Sequence, residues 1–290
     1  MAYLQLLPVL VLVCGLFLAG LFLTLVQSLG YIPPIGLNEI TLAYYLGIPG
    51  DPAFQESLWL TLRVAVVATV GASAVGTALA VCLAQLARTS AWQRFFAQAP
   101  LAIPHLVAGY MVLTLLMPTG LLARILYAVG LIAQPDQFPA LVYDWFGSGI
   151  IVAYVFKEAP FAAVLVYPLV AGATGRLQEA AITLGASPWQ AFRRVAWPLI
   201  WPGVLSAGLI IFAYTVSAFE IPYVLGRAYP RALPVLAYLK YTSIDLGERP
   251  AAMALAVILT AITAIVAWLY LRLAYSAGPT LAQVRSGRDD

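Results

Sequence analysis

The chain is 290 residues long, with 63% hydrophobic residues, only 9% charged residues and a formal net charge of +3. A soluble domain carries about a quarter charged residues, so most of this surface is built to face lipid. So small a net charge offers no basic field for nucleic acid, and one histidine with two cysteines is too few for a metal site of ordinary ligand count.

A helix needs about 20 apolar residues to cross the hydrocarbon core of a bilayer. Six segments qualify: 6–28, 58–87, 96–117, 149–173, 198–225 and 251–274. The pattern predicts an all-α polytopic bundle of six transmembrane helices. The first segment follows a start without basic residues, is longer than a signal-peptide core and has no A-x-A site behind it. It therefore reads as a retained span. Cys14 and Cys82 lie inside apolar runs and read as small hydrophobes. In the third segment Pro100 and Pro104, one turn apart, predict a kink, and the lone His105 beside them reads as a structural donor. The stretch Leu121–Ala133 is too short to span and reads as a helix lying at the interface. The segments 29–56, 118–148 and 226–250 are rich in Pro, Gly, Tyr and Asp and read as structured caps. No internal repeat is apparent.

Lys and Arg favour the cytoplasmic side of a membrane. With both termini inside, the inner segments hold Arg88, Arg94, Arg176, Arg193, Arg194, Arg272, Arg285 and Arg288. The outer segments hold Arg124, Arg227, Arg231, Lys240 and Arg249, so the balance is eight against five. Four ionisable groups fall inside the spans: Arg63, Lys157, Glu158 and Glu220. A charge at mid-membrane costs roughly 2.5–3.5 kcal/mol on insertion scales, so such residues mark function or pairing. Lys157, Glu158 and Glu220, with Tyr214 and Ser217 near the face of Glu220, form either the wall of a substrate path or ion pairs between spans. Arg63 reads as snorkelling to the outer interface.

One segment, 176–197, is charged and amphipathic in a chain otherwise made for lipid. Gly185 permits a left-handed exit from a helix. Ser187, Pro188 and Gln190 then supply an N-cap, a first-turn proline and a capping box. The spacing predicts a short rigid helix over 188–196, with Pro198 opening the next span. Trp189, Trp197 and Trp201 suit an interfacial belt. Neither of the two lysines lies in G-x-x-x-x-G-K-[ST], so the sequence contains no P-loop. We find no nucleophile–base arrangement outside the membrane. An intramembrane enzyme is poorly served by a single histidine.

The order Glu179-Ala180-Ala181, three residues, Gly185, nine residues, then Val195, Trp197 and Pro198 resembles the EAA loop of type I ABC-importer permeases, the inner-membrane components of binding-protein-dependent transport systems. Val195 and Trp197 stand where that family usually has Ile and Leu. The stretches Tyr154–Phe161 and Phe219–Gly226 are similar to the spermidine/putrescine permease group, less specifically. The resemblance implies a subunit without enzymatic activity that binds no cofactor itself, with ATP and Mg carried by two cytoplasmic ATPase subunits. It further implies a second permease subunit, a relative rather than a copy, and a periplasmic binding protein, all at the bacterial inner membrane. Glu179, Ala180, Ala181, Gly185, Ser187, Pro188, Arg193, Arg194 and Pro198 would then form the ATPase-coupling surface. The cargo would be a small organic ion such as a polyamine. The chain divides accordingly into a first helix with its outer loop (1–56), the permease core (57–275) with coupling loop 176–197, and a cytoplasmic tail (276–290). The competing expectation is a stand-alone secondary transporter coupled to ions through Glu158, Glu220 or His105, which inverted repeats would favour.

Overall fold

The structure, a computed structural model, describes residues 2–85 and 90–276. Arg88, Arg285, Arg288 and the tail beyond Ser276 lie outside the described residues. The helices are α1 (Ala2–Ser28), α2 (Ala43–Leu46), α3 (Pro52–Gln85), α4 (Ala91–Ala102), α5 (His105–Leu116), α6 (Leu121–Ala128), α7 (Ser148–Leu169), α8 (Gly175–Thr183), α9 (Pro188–Ala191), α10 (Trp197–Ser217), α11 (Glu220–Leu225), α12 (Leu233–Tyr241) and α13 (Arg249–Ser276). Six helical stretches are long and apolar enough to cross a membrane: Leu7–Ser28, Pro52–Gln85, His105–Ala128, Ser148–Gly172, Pro188–Ser217 and Leu246–Arg272. Helices are the form lipid demands, since a spanning backbone must satisfy its own N–H and C=O groups.

Two of the expected spans, 96–117 and 198–225, are broken, each on the N-terminal side of a proline that cannot serve the carbonyl four residues before it. Proline lacks the N–H that would bond the carbonyl of residue i−4. In the first, Pro104 cannot serve the Pro100 carbonyl, which accepts the Ile103 N–H instead (3.3 Å). Helix α4 stops at Ala102, Ile103 is extended (φ −79°, ψ 126°), and α5 restarts at His105. In the second, Pro222 leaves the Ala218 carbonyl vacant, Ala218 is extended (φ −74°, ψ 136°), and α11 restarts at Glu220. Helix α7 supplies a side-chain donor at both breaks. Lys157 Nζ donates to the carbonyls of Pro100 (2.9 Å) and Leu101 (3.0 Å). The Tyr154 hydroxyl makes a long 3.5 Å bond to the Ala218 carbonyl. Unpaired backbone groups at membrane depth are tolerated where protein re-satisfies them, and here one helix face does so twice.

Helix α7 can serve because it is central and deeply buried. It runs parallel to α3: Gly147 faces Leu60 and Val64, Gly71 faces Val155, and Ala80 joins Ala163 and Val166. At Gly76 a Cβ would meet the Ala159 carbonyl and come within 2.6 Å of Ala162 Cβ. Small residues at such a crossing let the two backbones approach closely, the main source of helix association in lipid. The parallel course puts the C-termini of α3 and α7 at one end of the bundle. That end also carries α8, α9 and the start of α10, whose Gly203 abuts Leu169.

The segments at the opposite end carry short helices and 3-10 turns, as expected of structured caps. One of them, 118–148, engages Arg63 of α3, whose guanidinium donates to the Trp145 carbonyl and lies over the rings of Trp145 and Phe146 at 5.0 and 5.1 Å. In the stretch 121–133, only Leu121–Ala128 is helical. At about 1.5 Å per residue it spans roughly 12 Å, too short to cross a bilayer alone.

Candidate functional site: a capped surface loop and an intramembrane polar cluster

Helix α8 carries Glu179-Ala180-Ala181 and ends in two nested bonds. The Ala186 N–H donates to Ala181 O (3.0 Å) and the Gly185 N–H to Ile182 O (2.9 Å). This is a Schellman ending, whose turning residue adopts a left-handed conformation, and Gly185 sits at φ +96°. One residue separates that turn from the next cap. The Ser187 N–H donates to Gln190 Oε1 (3.0 Å), and the Gln190 N–H donates to Ser187 Oγ (3.3 Å), with Pro188 at the first helical position. Two short helices are thereby locked at a defined angle.

The expected free-standing helix 188–196 differs in one respect. Helix α9 runs into a π-helical turn, Phe192–Ala196, and continues directly as α10. The wider turn carries the chain past Pro198, which cannot donate in α-helical register. Buried Ala191 and Ala196 seat this turn against the bundle. The outer face presents Glu179, Arg193 and Arg194 together with apolar side chains, Leu184 at 89% and Trp189 at 66% exposure. The exposed apolar tip is thus joined to a span by continuous helix, without a flexible linker.

The same capping box occurs a second time. Ser90 N–H donates to Gln93 Oε1 (2.9 Å) and Gln93 N–H to Ser90 Oγ (3.2 Å), starting α4. Aligned on the caps, Ser90-x-Trp92-Gln93-x-Phe95 repeats Ser187-x-Trp189-Gln190-x-Phe192, and Pro100-Leu101-x-x-Pro104 repeats Pro198-Leu199-x-x-Pro202. The serine-to-proline intervals are ten and eleven residues, and the π turn accommodates the extra one. A one-residue slip hides the repeat from inspection at fixed spacing, so the expectation of no repeat does not hold locally.

Within the bundle, the two helix breaks and α7 gather the ionisable groups. His105, the first residue of α5, places Nε2 3.1 Å from Glu158 Oε1. Its ring lies 4.7 Å from that of Tyr214, which meets Tyr154 edge-on at 6.4 Å. Glu220 is half-buried in the first turn of α11 and makes no ion pair among the described residues. Phe219, Tyr223 and Tyr238 cluster beside it at 5.0–6.3 Å. Lys157 is not with these groups, its amine being committed to the α4 carbonyls. Ser217 is exposed and bonded to its own helix through Ala213 O (2.8 Å) and Tyr214 O (3.2 Å). His105 is the member sequence reasoning set aside. The signal for it was Pro104, which makes the next residue a helix start facing the break.

A helical bundle with a capped surface loop and a polar cluster at two helix breaks has the architecture of a membrane permease. Its fold matches over 96% of its length a chain of a bacterial alginate ABC transporter solved with an alginate-bound periplasmic protein, covering 95% of that chain with a TM-score of 0.79 at 16% identity. Residues 72–276 match the family described as binding-protein-dependent transport system inner membrane component, and the chain belongs to that family. It is 30% identical to the molybdenum transport system permease protein ModB of Azotobacter vinelandii over 65% of this chain and 80% of ModB. It is 26% identical to the putrescine transport system permease protein PotI of Escherichia coli (strain K12), over 76% and 72% respectively.

Proposed function

We propose that this chain is one of two related permease subunits of an ATP-driven importer, and that its cargo is a small organic cation of polyamine type. In this reading both termini lie in the cytoplasm and the 176–197 loop docks on one of two ATPase subunits, which carry ATP and Mg. A periplasmic binding protein delivers cargo to the opposite end. Residues 57–275 form the moving core, the first helix (1–56) flanks it, and 276–290 is a cytoplasmic tail. Closure of the ATPases pushes on Glu179–Pro188. The π turn passes that push into α10, and α10 ends at the break beside Glu220.

The observation that carries the cargo assignment is the charge balance at the two breaks. Glu158 and Glu220 are set among His105, Tyr154, Tyr214 and the Phe219 cluster, while Lys157 is held elsewhere by backbone carbonyls. Carboxylates with aromatic faces attract ammonium groups. An oxyanion such as molybdate would sit against two carboxylates here, with the Lys157 amine turned to the α4 carbonyls. The test is uptake by the complete transporter in proteoliposomes. Putrescine should accumulate with ATP and molybdate should not, and Glu220→Gln should reduce putrescine uptake. Molybdate accumulation, or an unchanged Glu220→Gln profile, would overturn the cargo assignment. Glu179→Arg should abolish uptake by either cargo with the subunit still inserted. Uptake by the permease alone under an imposed ion gradient would instead restore the secondary-transporter reading.

A further inference from the structure

We propose that the first turn of α4, Ser90 to Phe95, is a second docking element for the same ATPase that receives the 176–197 loop. The inference rests on that loop being an ATPase dock and adds a contact that the loop does not include. Its basis is the repeat. Both copies start from a reciprocal Ser/Gln capping box, and both put a tryptophan at the second helical position and a phenylalanine three residues on. The ring pairs are similarly spaced but differently tilted, with Trp92–Phe95 centroids at 6.2 Å and 84° and Trp189–Phe192 at 6.0 Å and 25°. Both tryptophans are turned outward, Trp92 at 71% exposure.

Both copies also stand at the same end of the bundle. The parallel course of α3 and α7 brings the chain out at residue 85 and at residue 169 on one side, and Leu83, Ala97 and Gln98 line one 260 Å³ cavity with Tyr167 and Pro168 of α7. A surface that accepts a capped Ser-Pro-Trp-Gln turn offers an apolar slot for the indole and partners for the glutamine. The Ser-Ala-Trp-Gln turn carries the same cap, indole and glutamine in the same sequence order, with its aromatic pair edge-on where the other is stacked. The partner is therefore of one class, an ATPase with two such slots or one extended groove. The two copies differ in their coupling to the membrane. The α9 copy is continuous with its span, whereas the α4 copy is separated from α5 by the break at Ile103. The second dock therefore bears on the half-helix whose inner end is pinned by Lys157, and not on the whole span.

The experiment uses the complete transporter in nanodiscs of phosphatidylethanolamine and phosphatidylglycerol, with Trp92→Cys or Trp189→Cys and with Cys14 and Cys82 changed to Ser. A short bifunctional cross-linker is applied, and joined peptides are identified by mass spectrometry. Cross-links from both positions to the P-loop subunit support the inference. A cross-link from position 189 alone overturns it and leaves the loop assignment standing. Cross-links from neither position overturn both. A nitroxide at position 92 adds a reading independent of cross-linker reach. Immobilisation when the ATPase subunit is added supports docking. Unchanged mobility with high oxygen accessibility places Trp92 in the lipid interface and overturns it. Trp92→Ala should weaken ATPase binding about tenfold, equivalent to about 1.4 kcal/mol, with the Trp92→Ala/Trp189→Ala pair losing it altogether.

Discussion

The stretches opening α4 and α9 start alike and finish differently. Each begins with a serine cap, a tryptophan and a glutamine, and each meets two prolines four residues apart on the way into the membrane. The first breaks at Ile103, while the second stays helical through Pro198 and Pro202 to Ser217. Proline content is the same, so it does not decide the outcome. The first copy lies against Lys157, whose amine takes over the carbonyls a break exposes. The second absorbs its proline in a π turn one residue longer. The same local grammar thus yields a hinge where a neighbour supplies a donor and a continuous rod where the register has been widened.

The strongest way to break this comparison is to delete Val195. That shortens the π turn to the first copy's spacing and rotates α9 by about 100° relative to α10, one residue of a 3.6-residue turn. ATP-driven uptake should be lost while membrane insertion, followed by protease protection, is retained; normal uptake would show that the continuous rod is dispensable. Next in size, Lys157→Met strips the side-chain donor from two carbonyls, of which that of Pro100 keeps the Ile103 N–H, and leaving a buried polar group unsatisfied costs about 1–3 kcal/mol. A fall in thermal midpoint in detergent is expected, together with altered protection of α4 in hydrogen exchange and none at α9. Gly185→Ala forces a side chain into a left-handed conformation, costing about 1–2 kcal/mol. No atom crowds the site, so the loss should appear as loosened α8–α9 geometry without a packing defect. The smallest effects sharpen the likeness. Ser90→Ala and Ser187→Ala should each cost about 1 kcal/mol of local stability, read as equal increases in exchange at the first turns of α4 and α9. Clearly unequal changes would mean that the two caps are not equivalent.

Much of this was legible without coordinates. The six spans follow from runs of apolar residues that only lipid solvates. The Gly185 exit and the Ser187–Gln190 cap follow from backbone rules acting within four residues, and the structure reproduces both. The repeat was present in the letters but masked by a single inserted residue, whose meaning is clear only once the π turn is seen. The broken third and fifth spans were signalled by Pro104 and Pro222, although whether a proline kinks or breaks a helix depends on what waits nearby. His105 and Glu158 are separated by 53 residues, and no periodicity links them.

By itself, the sequence determined what short-range physics decides: which segments enter lipid, where helices start and stop, and the capped shape of the loop that Glu179 opens. Only the tertiary structure decided which charges meet. Lys157 and Glu158 are neighbours in the chain, yet successive residues on a helix point about 100° apart. One amine therefore reaches the α4 carbonyls, while the adjacent carboxylate meets His105 beside the Tyr214 ring. The parallel packing of α3 and α7 through Gly76 brings Ser90 and Ser187 to the same end of the bundle.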